Sequence, residues 1–316
     1  MDKLAHSPQV VFVFGALRSG TTLFRLMLNS HGALQNPGEA DFLFDFLRPD
    51  PQHPTGWRYD REGMIAHRIF RAHDLHCPPD LDGLDLLTTL IAQFQAQGEG
   101  LLTLNIHRHA ERAAALLPNA RFIHLLRDPR DVARSSIGMG WAGTSFHGVG
   151  HWIETETGWD QAARDIAPDR IMTLKFEALM SDLEAELTGV CRFLDVPFMT
   201  QMLAYHEASS YGPPNPKIAQ QWRTKATARE IALIEGRCEA LMQSRGYALN
   251  GTPAQPGTGE RFMLNQTNRL KRWRHNMRRF GVLLFVGGHA ARLIGPKKLH
   301  DYFQRRLEAK VIENLK

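Results

Sequence analysis

The chain has 316 residues, a length that fits one large domain or one domain with an appendage. Apolar residues make up 43% and charged residues 22% of the chain, so a packed core is expected and wholesale disorder is excluded. The net charge of +5 is unevenly placed: residues 260–316 hold 14 Lys and Arg against 4 Asp and Glu, which leaves 24 against 29 in residues 1–259. The basic character therefore belongs to the C-terminal segment, and nucleic acid is not an expected partner.

The first predicted elements are a buried strand and an amphipathic helix. VVFVFGA (10–16) is a short apolar run that ends in glycine, as a parallel strand does. Apolar residues in TTLFRLMLNSH (21–31) recur at helical spacing. The order strand, glycine loop, helix is the context in which a glycine spacing predicts an anion site.

The loop between these elements, GALRSGTT (15–22), has the glycine spacing of a nucleotide-triphosphate loop but not its lysine. Thr21 and Thr22 stand where Lys and Ser or Thr are expected. Backbone N–H groups of such a loop bind phosphate, and Arg18 and Ser19 add donors. The missing lysine argues against a triphosphate ligand, because that lysine serves the γ-phosphate.

The remaining elements alternate between strands and helices. A helical segment, HAERAAALLPN (109–119), lies between two strand-like runs and stops at Pro118, which predicts a βαβ crossover. Ser181 is the expected cap of a later helix, with Glu184 completing a capping box. The further strands are expected at 101–105, 121–127 and 170–176, and the further helices near 57–72, 84–97 and 227–245. The pattern predicts an α/β fold with a central parallel sheet and helices on both faces.

A second basic motif, RDPRDVARSS (127–136), directly follows a predicted strand. Ligands bind at the carboxyl ends of strands in α/β sheets, so Arg127 and Ser135 are suited to a second phosphate. The alternative is a surface charge pattern in which two aspartates of the motif pair with Arg130 and Arg134. Together the two motifs point to a nucleotide with two separated phosphates.

The pair GALRSGTT and RFIHLLRDPRDVARSS resembles the two signatures of the sulfotransferases that use 3′-phosphoadenosine 5′-phosphosulfate (PAPS). The similarity is closest to the branch of tyrosylprotein and many bacterial sulfotransferases, and it extends over roughly residues 9–249. The resemblance implies a sulfotransferase fold and PAPS as the donor. Further matching pieces are PGEADF (37–42), TLKFEALMSD (173–182) and PPNPKIAQQW (213–222).

The resemblance also assigns residues to the two ends of PAPS. It implies that Arg18, Ser19, Gly20, Thr21 and Thr22 hold the 5′ end. Arg127 and Ser135 would hold the 3′-phosphate, and Phe176 stands where the family often has a cofactor-contacting Tyr. The donor is expected to bind without a metal ion.

Two family lysines are missing from this chain. The family commonly has one about where TLNIHRH (103–109) stands, and no lysine occurs between Lys3 and Lys175. We therefore expect Arg18 to stabilise the leaving phosphate, with Arg108 as the other candidate. The lysine that precedes Trp in the late cofactor loop is replaced by Gln221.

A general base is expected in PGEADF, at Glu39. Pro37 and Gly38 turn the chain back toward the strand ends, and the related tyrosylprotein enzymes place their base in a similar segment. Asp41 is a weaker candidate in the same segment. The rival is His107, because the cytosolic small-molecule branch uses a histidine before the second motif.

Two other functions fit the motifs less well. One is a P-loop kinase for small molecules, and the other is a non-catalytic protein that binds PAP, the desulfated product, or acts as a membrane adaptor. The acceptor class stays open between a glycan, a lipid, a peptide and a secondary metabolite.

Cysteine use and the N-terminus bear on the compartment. Neither a disulfide framework nor a zinc ribbon is expected, because the scattered cysteines include no C-x-x-C pair. His73, His76 and Cys77 have no partner cluster elsewhere, so no metal is expected. MDKLAHSPQ leads straight into a strand without a secretory signal, which predicts a cytoplasmic protein.

The chain is divided by composition into a catalytic domain (1–249), a linker (250–259) and a basic helical extension (260–316). Basic and Trp-bearing sequence next to a short apolar run makes residues 270–298 a candidate for binding an anionic membrane surface. The alternative is a helical appendage that packs on the domain or on a second subunit, which would give a homodimer.

Overall fold

The structure is a computed structural model that describes residues 9–207, 209 and 211–294, followed by positions 296, 302, 303, 306, 307 and 310. The strands are β1 (Val10–Phe14), β2 (Leu34–Gln35), β3 (Leu47–Pro49), β4 (Trp57–Tyr59), β5 (Leu101–Ile106), β6 (Arg121–Leu126) and β7 (Ile171–Lys175).

Helices fill most of the intervening sequence. The α-helices are α1 (Thr21–Asn29), α2 (Phe42–Asp45), α3 (Arg61–Ala66), α4 (Arg68–Ala72), α5 (Gly83–Gln95), α6 (Ala110–Leu116), α7 (Pro129–Gly138), α8 (Ser145–Gly148), α9 (Gly150–Ala162), α10 (Phe176–Ser181), α11 (Leu183–Phe193), α12 (Trp222–Lys225), α13 (Ala228–Ser244), α14 (Thr258–Phe280) and α15 (Val282–Ile294). Short 3₁₀ helices lie at Pro168–Arg170, Thr200–Ala204 and Pro216–Ile218.

Five parallel strands form the central sheet, in the order β2-β5-β1-β6-β7. The central strand β1 is buried along its whole length and pairs with β5 on one side and β6 on the other. Because all five strands run the same way, the segments that follow β1, β5 and β6 emerge at one edge of the sheet. Both signature motifs start at that edge.

The two faces of the sheet carry separate hydrophobic clusters. Phe12 and Phe14 of β1 belong to the cluster formed with helices α5 and α9. Val11 and Val13, which point to the other face, pack with α1 and α11. The predicted parallel sheet with helices on both faces is therefore confirmed.

Two local predictions are wrong. The helix expected over 57–72 is a strand and two short helices, because β4 pairs with β3 in an antiparallel hairpin and Asp60 caps α3 by accepting from Gly63 N at 3.0 Å. Ser181 ends α10 and does not cap the helix that follows it. Asp182 caps α11, its carboxylate accepting from Ala185 N at 3.1 Å.

The C-terminal segment continues as helices. Within the predicted linker, Ala254 N donates to Ala232 O of α13 at 2.9 Å, and α14 already begins at Thr258. The three-part division by composition stays a prediction. Across the described residues, no helix combines the length and the apolar character that crossing a bilayer requires.

Candidate active site

The loop between β1 and α1 closes through two left-handed residues, Arg18 (φ 76°) and Gly20 (φ 98°). Gly20 fits here because it has no side chain. A Cβ at this position would lie 2.4 Å from the ring of Phe176, which covers the loop from the start of α10. Helix α1 has no side-chain cap at its N-terminus. Its first N–H groups are therefore available to an anion.

A first cavity of about 370 Å³ opens at this N-terminus. The loop and helix contribute Arg18, Gly20, Thr21 and Thr22 to its wall. The volume lies in the range of small-molecule sites. Ser19 does not line the cavity; its hydroxyl is buried and has no hydrogen-bond partner among the described residues.

Arg127 brings the second motif to the same cavity. Its Nη1 donates to Arg18 O at 3.1 Å, and its Nη2 donates to Ile218 O at 2.8 Å. The guanidinium lies over the Phe176 ring, 4.4 Å from the ring centroid. Ser135 is close by but does not line the cavity, because its Oγ accepts from Arg18 Nε at 2.8 Å. The structure thus brings the predicted donor-site residues together.

Other charges of the second motif are structural. Arg130 pairs with Asp128 at 2.7 Å and with Glu235 at 2.6 Å, and all three side chains are buried. Its guanidinium also lies 3.6 Å from the centroid of the Trp222 ring. Charge pairing therefore accounts for Arg130, whereas Arg127 lines the first cavity and in addition lies 3.7 Å from a carboxylate oxygen of the buried Asp131. Within this motif, the interpretation as a phosphate site fits Arg127, and the interpretation as a charge-pairing pattern fits Arg130.

A second cavity, of about 250 Å³, lies on the other side of the loop. Arg18, Thr21 and Thr22 line both cavities, so the two meet at the start of α1. Glu39 and His107 lie in the wall of the second cavity. They arrive from separate parts of the chain, since Glu39 forms a β-bridge to Asn105 of β5 and His107 directly follows that strand.

Glu39 and His107 face each other as a pair. Their Oε1 and Nε2 atoms are 3.9 Å apart, an ion-pair distance. Nδ1 of His107 lies 2.7 Å from Gly15 O, and since a carbonyl only accepts, Nδ1 carries a hydrogen. In neutral His107 the lone pair is therefore on Nε2, the atom nearest Glu39. The Glu39 side chain is 45% exposed, against 3% for His107.

The pair shifts both titrations toward the charged forms. The His107 contact lowers the pKa of Glu39, and this effect outweighs burial. Burial alone would lower the pKa of His107, but the Glu39 contact and the charge of Asp41 raise it overall. A carboxylate facing an imidazolium is the charge state that these shifts favour.

The weaker candidate base, Asp41, and the second candidate cation, Arg108, also line this cavity, and each has a hydrogen-bond partner of its own. Asp41 Oδ1 accepts from His107 N at 2.8 Å, and burial raises the pKa of this carboxyl. Arg108 donates to both carboxylate oxygens of Asp45. Asp41 thus orients the segment that carries His107. Arg108 is neutralised by Asp45. Arg18, in contrast, is a cation that lines both cavities.

Comparison with known proteins decides the family. The model of the Sulfotransferase family matches residues 8–201, more than half of the chain. This chain is a member of the sulfotransferase family. The predicted resemblance is thereby confirmed, including the tyrosylprotein branch, to which named relatives belong.

Relatives of this sulfotransferase are distant but cover much of it. The protein-tyrosine sulfotransferase of Drosophila melanogaster is 26% identical over 307 residues, covering 83% of this chain and 56% of that protein. Protein-tyrosine sulfotransferase 1 of Danio rerio is 21% identical over 291 residues, covering 83% of this chain and 79% of its own length. The chain thus spans little more than half of the Drosophila relative.

A solved structure shares the fold of this sulfotransferase. The sulfotransferase domain from the Synechococcus PCC 7002 olefin synthase superposes with a TM-score of 0.54 at 20% identity. The superposition covers 77% of this chain and 96% of that domain. The likeness confirms the sulfotransferase fold inferred from the two motifs.

Aromatic residues of this sulfotransferase that the sequence analysis missed complete the first cavity. Tyr205 and Tyr211 line it opposite the loop, and the hydroxyl of Tyr205 donates to Gly212 O at 3.3 Å. The sequence did contain a clue to these tyrosines. Both precede PPNPKIAQQW (213–222), a segment that resembles the family sequence. No group of three His, Cys, Asp or Glu among the described residues is arranged to hold a metal ion.

Proposed function

We propose that this sulfotransferase moves a sulfuryl group from PAPS to an acceptor hydroxyl or amine. The observation that carries the proposal is that two cavities meet at Arg18, Thr21 and Thr22. One has the cations and helix N-terminus that suit a phosphorylated donor, and the other has a carboxylate–histidine pair that suits an acceptor. Transfer between two bound groups requires such a shared boundary.

The residues of the first cavity fit the donor. The uncapped N-terminus of α1 and the guanidinium of Arg127 supply positive charge without a lysine. The hydroxyl of Ser19, in the loop behind the cavity wall, lacks a partner among the described residues and is a further potential donor. The loop from Arg18 to Thr22 would hold the 5′ end, and Arg127 with Ser135 would hold the 3′-phosphate.

The chemistry assigned to the chain is proton removal and charge stabilisation. When bound, PAPS supplies the sulfuryl group and is released as PAP. Glu39 would take the proton of the acceptor, since a base must lie within hydrogen-bond reach of the group it activates. Arg18 would stabilise negative charge on the leaving phosphate, because its side chain lines the boundary between the cavities.

Two alternatives remain to be tested against this proposal. A kinase acting on a small molecule would need Mg²⁺ and a lysine at the phosphates, and none of the described residues that line the first cavity is a lysine. A non-catalytic PAP-binding protein would keep the first cavity and have no use for a paired base in the second.

We expect the full-length protein to transfer ³⁵S from labelled PAPS to at least one compound of an acceptor panel of phenols, alcohols and amines, with no requirement for Mg²⁺. It should transfer no ³²P from γ-labelled ATP to the same panel. Products are separated by chromatography and identified by mass. Transfer of ³²P alone would favour the kinase, and PAP binding without turnover on any acceptor would favour the non-catalytic protein.

A further inference from the structure

Helix α14 lies outside residues 8–201, which match the family model, yet it packs on the catalytic part of the chain. Gly143 N donates to Asn268 Oδ1 at 2.7 Å, and His147 Nε2 lies 2.9 Å from Asn265 Oδ1. At Gly140 a side chain would collide with the ring of His275, since a Cβ there would lie 2.1 Å from it. The connection between α7 and α8 is thus a docking site for α14.

The docked helix reaches the second cavity. Arg279, near the C-terminal end of α14, lines this cavity together with Glu39 and His107. Arg68 of α4 lines it as well. Among the described residues, neither arginine forms a salt bridge with a carboxylate, in contrast to Arg108, which pairs with Asp45. Besides Arg18 at the boundary with the first cavity, the second cavity therefore contains two guanidinium groups, those of Arg68 and Arg279, that form no salt bridge among the described residues.

We propose that α14 completes the acceptor cavity and that Arg279, with Arg68, binds an anionic group of the acceptor. The proposal rests on the proposed function and names a substrate class for it. The acceptor carries the hydroxyl that faces Glu39 and, at some distance, a carboxylate or similar anion. The wall of the same cavity also includes the apolar side chains of Ile69, Met139 and Trp141, which suit an apolar body.

The test uses PAP-loaded full-length protein and calorimetry, so that it does not depend on turnover. The probes are hydroxyl compounds offered as the free acid and as the uncharged amide, such as N-acetyltyrosine and 4-hydroxyphenylacetate with their amides. We expect the acids to bind about 10-fold more tightly than their amides, the size of one charge-assisted contact. Arg279→Gln should remove most of this preference, since only Arg68 of the proposed pair remains, and Arg279→Lys should keep more of it.

The control is Arg278→Gln, because Arg278 is the exposed neighbour on the same helix and does not line the cavity. It should keep the preference for acids. The proposal is overturned if no acid binds more tightly than its amide, if Arg279→Gln keeps the preference, or if Arg278→Gln loses it equally. PAP binding is measured first, so a protein that does not bind PAP refutes the proposed function separately.

The side of α14 that faces away from the catalytic part is apolar. At 100° per residue, Phe262, Met263 and Leu270 lie opposite Asn268 and His275. Their exposed fractions are 63%, 68% and 68%. Leu283 of α15, beyond the break at Gly281, is 89% exposed as well. These four apolar side chains, Phe262, Met263, Leu270 and Leu283, are exposed among the described residues and are together called the outward face.

The positive charge of α14 indicates which kind of partner the outward face binds. Helix α14 holds seven Lys and Arg against one Glu, and most of these basic residues are exposed. An apolar stripe flanked by basic residues suits the interface of an anionic membrane. We infer that the outward face binds an anionic lipid surface. Of the segment predicted at 270–298, residues 295, 297 and 298 lie outside the described part of the chain.

The test is co-sedimentation of the full chain with vesicles of neutral lipid alone or with added phosphatidylserine. We expect binding to the anionic vesicles only, at least a 5-fold loss in Leu270→Ser/Leu283→Ser, and no loss in Ile65→Ser. Ile65 is a matched control because it is exposed and apolar but lies on α3. Equal binding to both vesicle types, an unchanged double variant, or a double variant that only dissociates a dimer would each overturn the inference.

Discussion

Glu39→Gln is expected to lower kcat by about 10²–10⁴ while leaving PAP affinity nearly unchanged, the range that a positioned base contributes. Glu39 lines the second cavity and not the first, and it is the more exposed member of its pair with His107. Its amide replacement keeps the shape but cannot take a proton. Initial rates of sulfated product formation and calorimetric titration with PAP measure the two parts of the prediction.

The expected pH dependence follows from the directions of the two pKa shifts. Because the pKa of Glu39 is lowered and that of His107 is raised, the two shifts favour a state in which Glu39 is a carboxylate and His107 an imidazolium. An imidazolium has no lone pair on Nε2, so Glu39 is the base in this state. The wild-type kcat should fall on the acid side as Glu39 becomes protonated through its lowered pKa.

For Glu39→Gln we also expect a change in the titration of His107. Without the Glu39 carboxylate, the pKa of His107 should fall relative to the wild type, because the Glu39 contact no longer raises it, and a larger neutral fraction of the ring would then offer its Nε2 lone pair to the cavity. Residual activity of Glu39→Gln should therefore follow the titration of His107 and disappear when His107→Asn is added. Glu62→Gln, an exposed carboxylate on α3, is the control and should retain full activity.

The opposite pattern would reassign the base. If His107→Asn loses the rate by the same factor and Glu39→Gln does not, the histidine takes the proton and the carboxylate orients it. A loss in both variants with no additional loss in the double variant would mean that the two act as one unit. Each result is distinguished from misfolding by retained PAP binding, since the first cavity is formed by other residues.

The sheet and the donor loop were predictable because their signals are local. Val10–Phe14 is an apolar run that ends at glycine, and a fully buried parallel strand permits hardly any other pattern. Gly20 adopts a positive φ under the Phe176 ring, a conformation that the glycine spacing anticipates. In both cases the sequence within a few residues determines the backbone.

The acceptor side depends on contacts between distant segments, which spacing does not encode. Glu39 and His107 are 68 positions apart in the chain, and only pairing with β5 brings them within 3.9 Å. Sequence reasoning treated them as rivals, whereas the structure makes them partners. The contacts of Asn268 and His275 with the α7–α8 connection likewise could not be predicted from the sequence pattern around either segment.

The errors at short range have a similar origin. Residues 57–59 were included in a predicted helix, but they pair with β3 in a hairpin. The helix and strand propensities of these residues alone do not reveal that pairing. At the start of α11, Ser181 and Asp182 are both good caps, and a one-residue difference in where α10 ends decides between them. Tertiary contacts, and not residue preferences, decided both cases.

Arg127→Ala is expected to weaken PAP binding by about 1.5–3 kcal/mol, or roughly 10–150-fold, the scale of a lost charge-assisted contact. The guanidinium is fixed at the wall of the first cavity by Arg18 O, Ile218 O and the Phe176 ring, so little rotamer entropy is lost on binding. Isothermal titration of PAP into the folded variant measures the loss. Binding of ATP should be weak in both proteins and indifferent to Mg²⁺.

Arg134→Ala is the matched control, since Arg134 belongs to the same sequence motif, on helix α7 just after Arg127, and does not line the first cavity. Its removal takes away the same charge without the contact, so PAP affinity should change little, and the difference between the variants should persist at higher salt. Arg127→Lys should recover only part of the affinity, because an ammonium keeps the charge but lacks the planar fork. Unchanged affinity in Arg127→Ala would remove Arg127 from the donor site, and equal losses in Arg127→Ala and Arg134→Ala would mean that long-range charge attracts PAP to this face.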